Sequence, residues 1–179
     1  METYKDREDL IIMFTDSYDV VLLAEPETIL AEFYKMKANV VFGAEPFCWP
    51  DSSLKDSYPA IEAGKRFLNS GGFIGYAKDI YDVVTHHEIQ NHEDDQLYYT
   101  KLYLDENFRK QHKFKLDHKS VIFQVSLFIN NIKFSFSENA TKNLEQSFTS
   151  FFFFGSKYSG PKIIPYPNIS SSLYLATND

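Results

Sequence analysis

The fold class predicted for this chain is an α/β domain with a mostly parallel central sheet, and three observations carry that prediction. Leu10-Ile11-Ile12-Met13-Phe14 is an apolar run closed by polar Thr15-Asp16-Ser17, the pattern of a strand buried on both faces. Helix formers from Pro26 to Lys37 follow, with Ile29, Leu30, Phe33, Tyr34 and Met36 at helical spacing and a proline where the first helical turn tolerates one. Val40-Val41-Phe42 then returns to extended apolar character. Strand, helix and strand in this order make a sheet covered by helices, with ligands at the carboxyl ends of its strands.

The remaining elements follow from the same patterns. Val20 to Leu23 is a second apolar run ahead of the helix. Pro46 to Pro59 reads PFCWPDSSLKDSYP, too irregular for an element and long enough to be a functional loop. Asn69-Ser70-Gly71-Gly72 reads as a turn into Phe73-Ile74-Gly75-Tyr76-Ala77, its glycines allowing a close backbone approach. Ile80 to His92 holds a helix of mixed period. Glu93-Asp94-Asp95-Gln96 then opens another, with Leu97, Tyr98, Leu102 and Tyr103 on its apolar face. Phe114 to Asp117, Val121 to Gln124 and the alternating Asn131 to Phe136 are extended candidates. Beyond Ser147 both periods disappear. Phe151 to Phe154 is a candidate strand and the rest of the tail reads as irregular. Residues 1–148 are therefore the expected domain and 149–179 a divergent tail.

Composition sets the outer bounds. With 179 residues and 44% hydrophobic content the chain supports one core. Its 18 basic and 25 acidic side chains give a formal charge of −7, which lacks the surplus that neutralises nucleic-acid phosphates; nucleic acid is not an expected partner. Cys48 is the single cysteine, so a disulfide within the chain and a multi-thiolate metal site are excluded. The charged opening METYKDREDL does not read as a signal peptide, and no stretch approaches the ~20 apolar residues of a membrane span.

Asp16 and Asp19 are the sharpest chemical signal. Two carboxylates three positions apart at the end of a buried strand can hold one hard divalent cation, which in turn neutralises a diphosphate. The competing reading makes Asp16 a cap and Asp19 a solvated side chain. Asp94 and Asp95 can serve as a general base or orient an acceptor hydroxyl, or they can complement a helix dipole. Trp49 is either a stacking lid over a sugar or a loop anchor. His86, His87 and His92 lack the spacing of a zinc-binding helix face, and His118 reads as a packed or hydrogen-bonded histidine. Neither a phosphate-binding Gly-x-x-x-x-Gly-Lys-Ser/Thr loop nor a Gly-x-Ser-x-Gly elbow is present.

In order along the chain, FTDSYDV, FCWP, KRFLNSGGFIGYA, EDDQLYYTKLYLD and LDHKSVIFQ resemble the amino-terminal glycosyltransferase domain of the procollagen lysyl hydroxylases, over roughly residues 8–148. The resemblance implies a GT-A fold, a nucleotide-sugar-binding sandwich that holds a divalent cation, usually manganese, beside the diphosphate of a UDP-sugar. It implies that Asp16 and Asp19 are metal ligands and that Tyr18 contacts the uridine. It further implies that Trp49 lies on a loop near the sugar, with Asn69, Asp94 and Asp95 around the sugar and acceptor. The implied reaction moves glucose from UDP-glucose to galactosylhydroxylysine of collagen in the endoplasmic reticulum lumen; pairing with a full-length relative or with collagen belongs to the alternative of a noncatalytic module. The family's first strands are expected before residue 1. Its His-Gly-Asn-Gly-Pro metal motif is expected where this chain reads FFFFGSKYSGPK, so the domain is expected to be incomplete at both ends and its transfer impaired. The alternative is a noncatalytic interaction module derived from the same domain. No hydroxylase module is expected within the chain.

Overall fold

β1 (Ile11–Thr15) is buried on both faces, as its unbroken apolar run requires. Ile11 and Met13 face one core with Ile29, Leu30 and Phe33 of α1 (Pro26–Met36), while Leu10 and Ile12 face a second core shared with α2 (Ala77–Thr85), α3 (Asp95–Leu104) and α4 (Glu106–Gln111). The sheet is thus the middle of three layers. The computed structural model describes residues 1–16, 20–125, 151–153, 161–165 and 173–178. Tyr18, Asp19 and the expected strand at Asn131 to Phe136 lie outside the described residues.

The other strands are β2 (Val20–Val21), β3 (Val40–Glu45), β4 (Phe67–Tyr76), β5 (Phe114–Leu116), β6 (Phe123–Val125), β7 (Phe151–Phe153), β8 (Pro161–Pro165) and β9 (Leu173–Asn178). They run in the order β2-β7-β6-β3-β4-β1-β9-β8, with β5 on β3. The expectation of a mostly parallel sheet is corrected. β4 is antiparallel to both β1 and β3, and β2–β7 and β8–β9 are antiparallel too, whereas β1–β9, β3–β5, β3–β6 and β6–β7 are parallel. The physical reason is the path from β3 to β4. It is a loop with a short 3₁₀ helix at Ser52–Ser57 and carries no α-helical crossover, the usual connection that returns a chain parallel to its neighbour. The candidate strand at Phe151 to Phe154 is found as β7, and the rest of the tail, read as irregular, carries β8 and β9. Backbone pairing needs no side-chain period, and β8 tolerates a proline at each end because it is an edge strand.

Register at the centre is pinned by a ladder of rings. Phe42 of β3, Phe73 of β4 and Phe14 of β1 are partners across the three strands, stacked at 4.5 and 4.6 Å. Each such pair contributes about 0.5–1.5 kcal/mol beyond its buried area. Tyr99 of α3 packs on Phe42 at 4.9 Å and on Phe73 at 5.8 Å, which fixes where α3 begins relative to the sheet. Past this ladder β3 loses register: Phe42 pairs Phe73, but Gly43 pairs Asn69. Ser70, Gly71 and Gly72 are therefore a bulge inside β4 and not a turn before it. Within β4, Gly75 is a glycine that a close approach requires, since a Cβ there would stand 2.5 Å from the Asn39 carbonyl oxygen.

Candidate functional site

The carboxyl ends of β1 and β3, the bulge of β4 and the start of α3 meet at one end of the sheet. Thr15 closes β1 opposite Gly72, and the Asp16 amide donates to the Gly71 carbonyl at 2.9 Å. The Gly71 amide in turn donates to Asn69 Oδ1 at 3.1 Å. One residue of the bulge, Gly71, thus ties Asp16 to Asn69 through both its amide and its carbonyl. Both were singled out from the sequence, and both are partly buried.

Glu45 and Gln96 form the centre of the site. Glu45 ends β3 and is only 4% exposed; Gln96 lies in the first turn of α3 and is 8% exposed. Gln96 Nε2 donates to Glu45 Oε1 at 2.7 Å and to the Trp49 carbonyl at 3.1 Å, while its Oε1 accepts the Ser70 amide at 3.1 Å and faces the Ser70 hydroxyl at 3.4 Å. One side chain therefore joins the β3 carboxyl end, the Trp49 loop and the β4 bulge. Burial pushes the Glu45 carboxyl above its usual range, and hydrogen bonds from Gln96 and Asn69 and the more distant Lys65 charge pull back against it.

Asp94 is the N-cap of α3: its Oδ1 accepts the Leu97 amide at 2.9 Å, satisfying a helix-start donor. Asp95 is the first helical residue, partly buried, and its charge adds to the burial that raises the Tyr99 hydroxyl pKa. Trp49 anchors through its backbone carbonyl while the residue is 63% exposed, and Phe47, two positions earlier on the same loop, is exposed as well. The structure thus brings Asp16, Asn69, Trp49, Asp94 and Asp95 to one end of the sheet.

Sequence reading missed Glu45 and Gln96. The signal for Glu45 was available: it is an acid closing a buried strand, the position that made Asp16 a candidate. Gln96 offered only adjacency to the acidic pair, because its partners lie 26 to 51 residues away. The histidines fall as read. His86, His87 and His92 are exposed, and His118 Nδ1 lies 2.6 Å from the Lys65 carbonyl. Among the described residues no three His, Cys, Asp or Glu side chains group as a metal site. The carboxylate of Asp16 is a hard oxygen donor of the kind divalent cations prefer.

A family profile described as "PLOD GT domain" matches residues 1–153. The chain belongs to the PLOD glycosyltransferase-domain family. It is 52% identical over 124 residues to the human "Multifunctional procollagen lysine hydroxylase and glycosyltransferase LH3", covering 69% of this chain and 17% of that protein. It is 46% identical over 144 residues to the Caenorhabditis elegans "Multifunctional procollagen lysine hydroxylase and glycosyltransferase", covering 79% of this chain and 20% of that protein. Human "Procollagen-lysine,2-oxoglutarate 5-dioxygenase 2" is 48% identical over 124 residues, 69% of this chain and 17% of that protein. The chain thus spans a fifth or less of these relatives. Among the described residues no helix is long and apolar enough to cross a membrane.

Proposed function

We propose that this PLOD GT domain has the GT-A fold and binds UDP-glucose with a divalent cation, manganese by family resemblance, transferring glucose to galactosylhydroxylysine of procollagen in the endoplasmic reticulum lumen. The observation that carries the reading is the convergence of Asp16, Asn69, Trp49, Asp94 and Asp95 around the buried Gln96–Glu45 pair. Asp16 and Asp19 would hold the cation, which when bound offsets negative charge on the departing diphosphate. Tyr18 would take the uracil ring. Asn69, aligned by Gly71, would orient sugar hydroxyls, and the exposed Trp49 ring would cover the sugar and exclude water.

In the transfer itself the bond from the anomeric carbon to the diphosphate oxygen breaks and the acceptor oxygen bonds to that carbon. The acceptor proton passes to Asp94 Oδ2 or to Asp95. Asp94 Oδ1 is engaged by the Leu97 amide, so capping and proton acceptance use different oxygens of one carboxylate.

The test is UDP release from UDP-glucose with manganese, with and without a galactosylhydroxylysine peptide. Turnover that Asp16→Ala abolishes supports the reading. Asp94→Asn separates the two roles of that residue: an amide oxygen still caps the helix, so unchanged stability with lost transfer assigns the carboxylate to the reaction. Silence of the unmodified chain with UDP-glucose and manganese, together with retained protein contacts, would replace this reading by a noncatalytic module.

A further inference from the structure

Beside β5, which pairs with the half of β3 remote from Glu45, lies an open hollow of about 460 Å³. Lys37, Arg109, Lys110, Lys113 and Lys115 line it, and among the described residues no aspartate or glutamate does. Four of these cations belong to one run, Arg109-Lys110-Gln111-His112-Lys113-Phe114-Lys115, and the fold adds Lys37 from the end of α1. A chain of net charge −7 thus gathers five of its 18 lysines and arginines on one hollow. A short basic run of this kind is the sequence mark of a polyanion-binding patch.

The cations are accessible: Lys37, Lys110, Lys113 and Lys115 are exposed and Arg109 is partly buried. Lys110 is paired with Glu106 at 2.5 Å on the open surface, where such a pair is weak. Lys115 Nζ donates to the Met36 carbonyl at 2.8 Å and Arg109 to the Tyr103 carbonyl at 2.7 Å, and each keeps further donors for a ligand. Among the described residues the Lys37 and Lys113 ammonium groups have no ion-pair or hydrogen-bond partner. The carboxyl ends of α1 and α4 together offset about one charge, so five cations against Glu106 and those ends leave a surplus of about three.

The rest of the lining narrows the class of anion. Phe114 and Leu116 are each 2% exposed, so β5 offers no open strand edge and a polypeptide gains no backbone pairing there. Tyr103 is 5% exposed, so neither it nor Phe114 presents a ring on which a nucleic-acid base stacks. What the hollow presents to an anion is ammonium and guanidinium donors, which suit sulfate oxygens through charge-assisted hydrogen bonds. We infer that the hollow binds a linear sulfated polysaccharide, with Lys37, Arg109, Lys113 and Lys115 gripping its sulfate groups. The site is independent of the sugar-nucleotide end of the sheet.

The probe is a fluorescein-labelled heparin octasaccharide, followed by anisotropy on the full chain. Binding is expected, and it weakens at least about tenfold in Lys37→Asn/Lys113→Asn, which removes two of the surplus charges. Asparagine is chosen because both positions have left-handed backbone, at φ 49° and 41°. Lys115→Gln is a second, independent variant and is expected to cost at least about threefold, whereas Lys78→Gln, the same charge change on α2, leaves affinity unchanged. Raised salt weakens binding, and a desulfated octasaccharide does not bind. Circular dichroism checks that the variants stay folded. Absence of binding, undiminished affinity in the folded lysine variants, or equal affinity for the desulfated chain overturns the proposal. So does a hexaglutamate peptide or an oligonucleotide that binds at least as tightly as the octasaccharide. None of these readouts involves UDP or manganese, so they stand apart from the transferase tests.

Discussion

Replacing Gln96 by leucine removes the central connection of the site while keeping its approximate volume. Four contacts are lost, but they do not count equally. The Ser70 hydroxyl can rotate, and the Trp49 carbonyl sits on an open loop where water reaches it. The Ser70 amide and the Glu45 carboxylate cannot be rescued in that way, since both lie in the buried bulge and strand end. An orphaned buried amide costs about 1–2 kcal/mol, and loss of a hydrogen bond to a charged group about 1.5–3 kcal/mol. The total is about 2.5–5 kcal/mol, which lowers the melting temperature by about 5–20 °C for a chain of this size. Urea unfolding followed by circular dichroism measures the stability. Trp49 is the single tryptophan, so its fluorescence reports the loop separately. Gln96→Leu is expected to shift the emission of the folded protein as the loop loses its tie. A loss below about 1 kcal/mol with unchanged Trp49 emission would refute the view that this side chain organises the site.

Three further outcomes follow from the same coordinates. Glu45 has a raised folded-state pKa, so the folded protein binds its proton more readily than the unfolded chain and stability falls as pH rises from the ordinary carboxyl value through the raised one. Glu45→Gln is expected to flatten that fall, seen as a smaller change in urea midpoint between mildly acid and neutral pH. Asp117 is 1% exposed and accepts the amides of Val121, Ile122 and Phe123 at 2.7–2.9 Å, so Asp117→Ala is expected to cost at least about 3 kcal/mol in the same unfolding assay. Gly75→Ala sets a methyl 2.5 Å from the Asn39 carbonyl oxygen and is expected to destabilise by about 1–3 kcal/mol, whereas Gly43→Ala, whose nearest neighbours stand at 3.5 Å, should be milder in differential scanning calorimetry.

What could be read in advance and what could not divide along a physical line. β1, α1 and β3 were legible because each buries side chains at its own period, and the Asp94–Asp95 start of α3 because capping chemistry is local. Strand direction was not legible, because it depends on how the chain returns from β3 to β4 and no side-chain period records that path. The helix expected at Ile80 to His92 is found at Ala77–Thr85: it starts where the Ala77 amide donates to the Leu10 carbonyl, a tertiary contact invisible to local pattern. In the site the acids at strand and helix ends were legible. Gln96 was not, because its importance comes from partners in three distant segments.

Calorimetric titration of UDP into the chain, with and without manganese, tests the central claim that the carboxylate closing β1 holds a cation against a sugar nucleotide's diphosphate. The account predicts that manganese tightens UDP binding by at least about tenfold and that Asp16→Ala, still folded, loses that enhancement. UDP affinity that is the same with and without the metal, or an enhancement that survives in Asp16→Ala, would contradict it.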